Sequence, residues 1–177
     1  MKRDDSFDRL IPRLIGAAKL DPAIYEEIEG DRSGTPQAAF VIVATSIAAG
    51  VAGSGAGSIG SLLAGLAAIV GWAIQAWIVF FVGTTFFRVE ATKADWGEVA
   101  RTIGFAQTPR LFLLLAVVPG LGPTVTSLVG LWVLVATVVA IRAALDLSTG
   151  RAVGTAIASA LFPFVLFYIV YLLFFSS

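Results

Sequence analysis

Charged positions divide this chain into long apolar blocks. From Ser33 to Phe87 it runs 55 residues without a charged side chain, which as helix would reach roughly 80 Å against a hydrocarbon core of about 30 Å. Such a block holds two crossings and a reversal. The reversal falls in the Gly/Ser-rich stretch Gly50-Val-Ala-Gly-Ser-Gly-Ala-Gly-Ser-Ile-Gly60, where glycine lets the backbone turn back at the bilayer surface. This predicts spans over about 36–53 and 60–87, the first opened by Thr35 as N-cap and Pro36 in the first turn.

The second block, Leu111 to Ile141, is split by Pro119-Gly-Leu-Gly-Pro123, a turn signal built on Pro119 and Pro123. Thr124 to Ile141 is 18 residues, about 27 Å of helix, and crosses alone. It must therefore start on the far side. Leu111 to Pro123 as helix gives only about 20 Å, so the preceding span is expected to borrow residues back to Gly104 and to run over 104–119. The next runs over 124–145, and the last block, with Pro163 as an expected kink, over 152–175.

Five spans over 36–177, preceded by an amphipathic segment 1–35, give an all-helical polytopic membrane protein. The twelve Lys and Arg fall six before the first span, four between the second and third (Arg88, Lys93, Arg101, Arg110) and two between the fourth and fifth (Arg142, Arg151). With odd crossings all twelve share one face. The positive-inside rule then puts the N-terminus in the cytosol and the C-terminus outside, in the cell membrane. The twelve acids share that face too, which the rule does not require.

Shorter patterns order the cytosolic pieces. Phe7, Leu10, Ile11, Leu14, Ile15 and Ala18 recur at helical spacing with Asp8, Arg9, Arg13 and Lys19 on other faces, predicting a helix along the membrane surface that Pro12 interrupts. Asp21-Pro22 starts a short acidic helix, Ala23 to Glu29. Thr92 and Asp95 together start another amphipathic helix whose apolar side is Trp96, Val99, Ala100 and Ile103. The N-terminal segment and loop 88–103 are the surfaces available to a protein partner.

Composition agrees with a lipid solvent: 58% apolar and 14% charged, against roughly 45–50% and about 25% in soluble domains. Zero net charge gives no pull toward nucleic acid. The absence of cysteine and histidine removes thiolate nucleophiles, imidazole bases and the usual zinc ligands. No serine–histidine pair, aspartate dyad or metal cluster can be assembled, so neither an enzyme nor a cofactor is expected.

Several features are weighed for chemistry. Gly55-Ala-Gly-Ser-Ile-Gly60 matches a dinucleotide-binding GxGxxG, but that fingerprint needs a preceding strand and an acid about twenty residues on. Here the next acid is Glu90, and the stretch reads as a reversal. Small residues at four-residue spacing (Ser46, Gly50 and Ser54; Gly53 and Gly57; Ser61 and Gly65) let helix backbones approach, within the chain or in a homo-oligomer. Arg110, one turn after Gln107, lies one to two turns below the surface, where a charge is costly. It either snorkels or pairs with Asp146, or it forms a ligand or lipid-headgroup site. Arg142 and Asp146 are spaced for an i,i+4 ion pair. Gln75, midway along the second span, is its deepest strongly polar side chain.

The segments Gly16-Ala-Ala-Lys-Leu-Asp-Pro-Ala-Ile-Tyr-Glu-Glu27, Arg101-Thr-Ile-Gly-Phe-Ala-Gln-Thr-Pro109, Val118-Pro-Gly-Leu-Gly-Pro123 and Ala144-Leu-Asp-Leu-Ser-Thr-Gly-Arg-Ala152 together resemble prokaryotic members of the Yip family of membrane proteins. The resemblance implies a five-span domain with a cytosolic N-terminus. Eukaryotic relatives bind Rab-type GTPases and act in vesicle trafficking and membrane shaping. Gly104 to Pro109 looks like their glycine-aromatic-x-x-x-proline segment, whereas their N-terminal Asp-Leu-x-Gly-Pro element has no counterpart here. The expected role is non-catalytic organisation of membrane or partner proteins. The alternative is a small transporter or channel component whose polar route is Arg110, Gln107 and Gln75.

Overall fold

Long uncharged runs become long helices because in hydrocarbon every backbone N–H and C=O must find its partner within the chain. The fold, a computed structural model, is described over residues 8–54, 59–90, 92 and 94–175, with the backbone alone at 54, 59–65, 174 and 175. Every regular element among the described residues is helical: α1 (Leu10–Ala18), α2 (Pro22–Gly30), α3 (Gly34–Ser54), α4 (Ile59–Phe86), α5 (Trp96–Ala106), a 3-10 segment (Thr108–Val117), α6 (Gly122–Ala144) and α7 (Thr149–Phe175). Among the described residues four helices, α3, α4, α6 and α7, are long and apolar enough to cross a membrane.

A single α-helix over 104–119 does not form. Pro109 has no N–H to donate to Phe105 O four residues back, so α5 cannot run through it. The hydroxyl of Thr108 takes that carbonyl instead at 2.6 Å. The chain tightens, with Arg110 N donating to Gln107 O at 2.9 Å, and continues as a 3-10 helix. Pro119 and Gly120 then reverse it, Gly120 at φ +85°, and Pro123 lies in the first turn of α6. Pro163, by contrast, lies inside α7, which continues past it.

Neighbouring elements close a ring: α3 packs on α4, α4 on α7, α7 on α6, α6 on the 3-10 segment, and that segment on α3. Inside the ring, at the end that carries the charges, α5 touches α3, α4 and α6. The amphipathic helix expected here is therefore an interior plug. Val99 to Ala106 are all buried, Arg101 and Thr102 included, while Trp96 is exposed. This is tolerable because the polar groups are satisfied locally. Thr102 Oγ1 donates to Glu98 O and Val99 O, both at 3.1 Å, and Arg101 donates to carbonyls of α2. Asp95, not Thr92, starts the helix through a reciprocal capping box with Glu98. Thr92 instead donates to Leu145 O at 3.1 Å.

α1 differs from its expected orientation. Pro12 stands in its first turn, where the missing N–H would have had no partner, so the helix is unbroken. Arg13 points inward and is 1% exposed, while Ile11 and Ile15 point outward at 67% and 51%. The ring helices are likewise apolar outside, with Ile74, Trp77, Leu128 and Leu131 all exposed. A bilayer solvates such a surface, whereas water would leave it a liability.

Candidate functional site

Ring closure brings three separately noted polar side chains together. A cavity of about 660 Å³ lies between α3, α4, α6 and α7, below the C-terminal end of α5, and Gln75, Gln107 and Arg110 all line it. Its other walls are largely apolar, including Ile42, Ala68, Ile103, Val133 and Ala156. Thr45 is eleven residues from the start of α3 and Gln75 eleven from the end of α4, so both lie about 16 Å from the charged end. That is about half the thickness of a hydrocarbon core.

Hydrogen-bond accounting separates these lining groups. Thr45, Ser46 and Thr137 donate to carbonyls of their own helices at 2.8, 2.7 and 2.8 Å, as hydroxyls do in apolar surroundings. Trp72 Nε1 donates to Ala100 O at 2.9 Å, tying α4 to the plug. Gln107 Nε2 reaches only Ile103 O, at 3.5 Å. Gln75 and Arg110 have no hydrogen-bond or ion-pair partner among the described residues. Spare donors therefore line an otherwise largely apolar cavity, and none of its lining residues is acidic.

Arg142 and Asp146 are elsewhere. They line a smaller cleft, about 210 Å³, between α2 and the end of α6, with Pro22 and Glu26. The expected i,i+4 ion pair between them is not formed. α6 ends at Ala144, and Asp146 turns into the left-handed region at φ +51°, so helical spacing no longer applies. Nor does Asp146 pair with Arg110, which faces the central cavity. The glycines divide similarly. A Cβ at Gly50 or Gly53 would meet nothing within 4 Å. Gly57 lies outside the described residues, and at Gly65 only the helical backbone is described.

Two buried arginines that sequence reasoning left among the loop and tail charges organise the charged end. Arg13 Nε donates to Glu27 Oε1 at 3.1 Å and Nη1 to Gln37 Oε1 at 3.0 Å. Its Nη2 reaches Glu27 at 2.9 Å and Asp31 at 2.5 Å. One guanidinium thus ties α1 to α2 and to the start of α3. Its hydrogen bond, with that of Ser33, pulls the Asp31 carboxyl down to about 2. Arg101 Nε donates to Ile28 O and Glu29 O at 3.2 Å, and Nη2 also donates to Glu29 O. It thereby covers orphan carbonyls at the end of α2. A detectable signal was the pairing of Arg13 with acids 14 and 18 residues on, a spacing that two short antiparallel helices produce.

Among the described residues no group of three or more His, Cys, Asp or Glu could hold a metal ion. The Gly104–Pro109 segment has clear physical work in this geometry. A Cβ on Gly104 would come 2.7 Å from that of Ala38 and 3.3 Å from Trp72 Nε1, and Pro109 sets the helix break above the cavity. No curated protein and no solved structure matches the chain significantly. The family model of the Yip1 domain matches residues 21–173, from the start of α2 to near the end of α7. The chain, an all-helical membrane protein, therefore belongs to the Yip1 domain family.

Proposed function

We propose that this protein is a non-catalytic organiser of the cell membrane that crosses it five times, with α5 and the 3-10 segment in series as the third crossing. Eleven α-helical and ten 3-10 residues give about 16 and 20 Å, together longer than the roughly 30 Å core though neither suffices alone. The charged end is cytosolic by the positive-inside rule. Family membership favours this role over the transport alternative.

The observation that carries the reading is the inverted amphipathicity of α1. Its guanidinium is turned in to clasp α2, and its isoleucines are turned out. The last carbonyl of α1, on Ala18, accepts from Trp132 Nε1 at 2.8 Å, with Trp132 in turn stacked on Phe112. α1, packed on α2, α5 and the 3-10 segment, is thereby tied at its end to α6 and reads as a short wedge in the cytosolic leaflet, where buried apolar area couples to curvature. The exposed start of loop 88–103 and the outer side of α2 remain for a protein partner.

The test is vesicle shape. Proteoliposomes containing the wild type should show a smaller mean diameter by electron cryomicroscopy than those containing Ile11→Ser/Ile15→Ser, which keeps the Arg13 clasp. Identical diameter distributions would sink the wedge.

A further inference from the structure

We propose that the central cavity is a binding site for a single anionic amphiphile drawn from the bilayer, its carboxylate or phosphate on Arg110 and its chain along the apolar wall. The inference is independent of the α1 wedge.

Charge decides the ligand's sign. An arginine facing an apolar cavity below the membrane surface is costly unless its charge is compensated. The C-terminal end of α5 offers on the order of half a negative charge to offset it. No carboxylate lines the cavity, and no ion pair engages Arg110 among the described residues. Most of the compensation is missing, and an oxyanion supplies it through charge-assisted hydrogen bonds.

Donor chemistry decides the headgroup. Arg110 brings five N–H groups, and the Gln75 amide adds two with no partner among the described residues. The hydroxyls of Thr45, Ser46 and Thr137 have spent their protons on their own helices. The unspent polar groups on the lining are therefore few and mainly donors, suited to one oxyanion.

Wall chemistry decides the rest of the molecule. A volume of about 660 Å³ is in the range that holds small organic ligands, roughly 300–1,000 Å³, and far exceeds what an inorganic anion needs. The remaining lining is mostly aliphatic. Leu134 and Ile157 line the cavity while remaining 64% and 56% exposed, so it opens on the surface that faces lipid. An acyl chain is the occupant available there.

Fatty acids and anionic phospholipids share this chemistry, and native mass spectrometry of the full chain in neutral detergent distinguishes them. Oleate, dioleoylphosphatidylglycerol and uncharged dioleoylglycerol are titrated separately. One or both anionic amphiphiles should bind at one per chain, and the arm that binds tighter identifies the source. Arg110→Gln should weaken that binding by about tenfold or more, as loss of a charge-assisted contact implies, while Arg110→Lys retains much of it. Dioleoylglycerol binding as tightly as both anionic probes, or anionic affinity unchanged in Arg110→Gln, overturns the site. Should Arg110→Gln not fold, Gln75→Leu carries the comparison. A loss of about threefold or more supports the site and unchanged affinity refutes it.

Discussion

Glu29 closes α2 with its backbone carbonyl on Arg101 and holds its own carboxyl among other acids. Burial first, then the negative charges of Asp146, Glu98 and Glu26, raise that carboxyl from 4.5 to about 7, against a smaller opposing pull from Arg101. An acid raised in the folded state stabilises the fold fully below its unfolded value and loses that contribution as pH climbs through the folded one. Attachment of α2 should therefore weaken between about pH 4.5 and 7. The chain has no histidine, and Asp31 titrates far below this window. The melting temperature in neutral detergent should fall from pH 5 to pH 8, and Glu29→Gln should flatten the profile; an equal slope in the variant would assign the effect elsewhere. Which arginine does what was only partly legible. Arg110 was singled out because polarity in hydrocarbon is expensive. Arg13 was misplaced because its polarity was taken to point away from the protein, whereas Glu27, Asp31 and Gln37 give it partners inside.

At the scale of elements, α5 decides whether the ring has a plug, and Gly104 decides whether α5 fits. Alanine there gains up to about 1 kcal/mol in helix propensity, but its methyl would sit 2.7 Å from Ala38 Cβ. Gly83 meets an even closer atom, Leu145 Cδ1 at 2.3 Å, yet that is the tip of a flexible side chain that can rotate away. Ala38 Cβ is fixed to the α3 backbone, so the helices themselves must part, at a cost of about 1–3 kcal/mol. The clash outweighs propensity. Gly104→Ala should lower the melting temperature and Gly83→Ala should change it less; the reverse order would show that α5 is not held against α3 as described. The long helices were readable because bilayer thickness dictates their length. The burial of α5 was not. Arg101, Thr102 and Glu98 give it the pattern of a surface helix, and what permits its burial is a set of carbonyls more than seventy residues earlier in the chain.

The whole molecule turns on how the chain gets from α5 to α6. Gln75, Gln107 and Arg110 line one cavity because five elements close a ring, and no spacing along the sequence encodes that closure. The 3-10 segment is its least regular member. It packs between α3 and α6 while Leu114, Leu115 and Val117 stay about half exposed, as lipid-facing positions would. If it carries the chain across, Glu90 and Thr124 lie on opposite sides of the membrane. If it dips in and returns, they share a side and the crossings number four. Both residues are exposed, as is Ser148 between α6 and α7. The chain lacks cysteine, so single substitutions report without background. In intact cells a membrane-impermeant maleimide should label Thr124→Cys and spare Glu90→Cys and Ser148→Cys until the membrane is opened. Labelling of Glu90→Cys together with Thr124→Cys would reduce the third crossing to a re-entrant segment. That result would also contradict the packing itself, in which Thr92 donates to Leu145 O and Arg151 to Arg88 O, so that the α6–α7 connection and the charges before α5 lie at one end of the ring, and the positive-inside argument would fail with it.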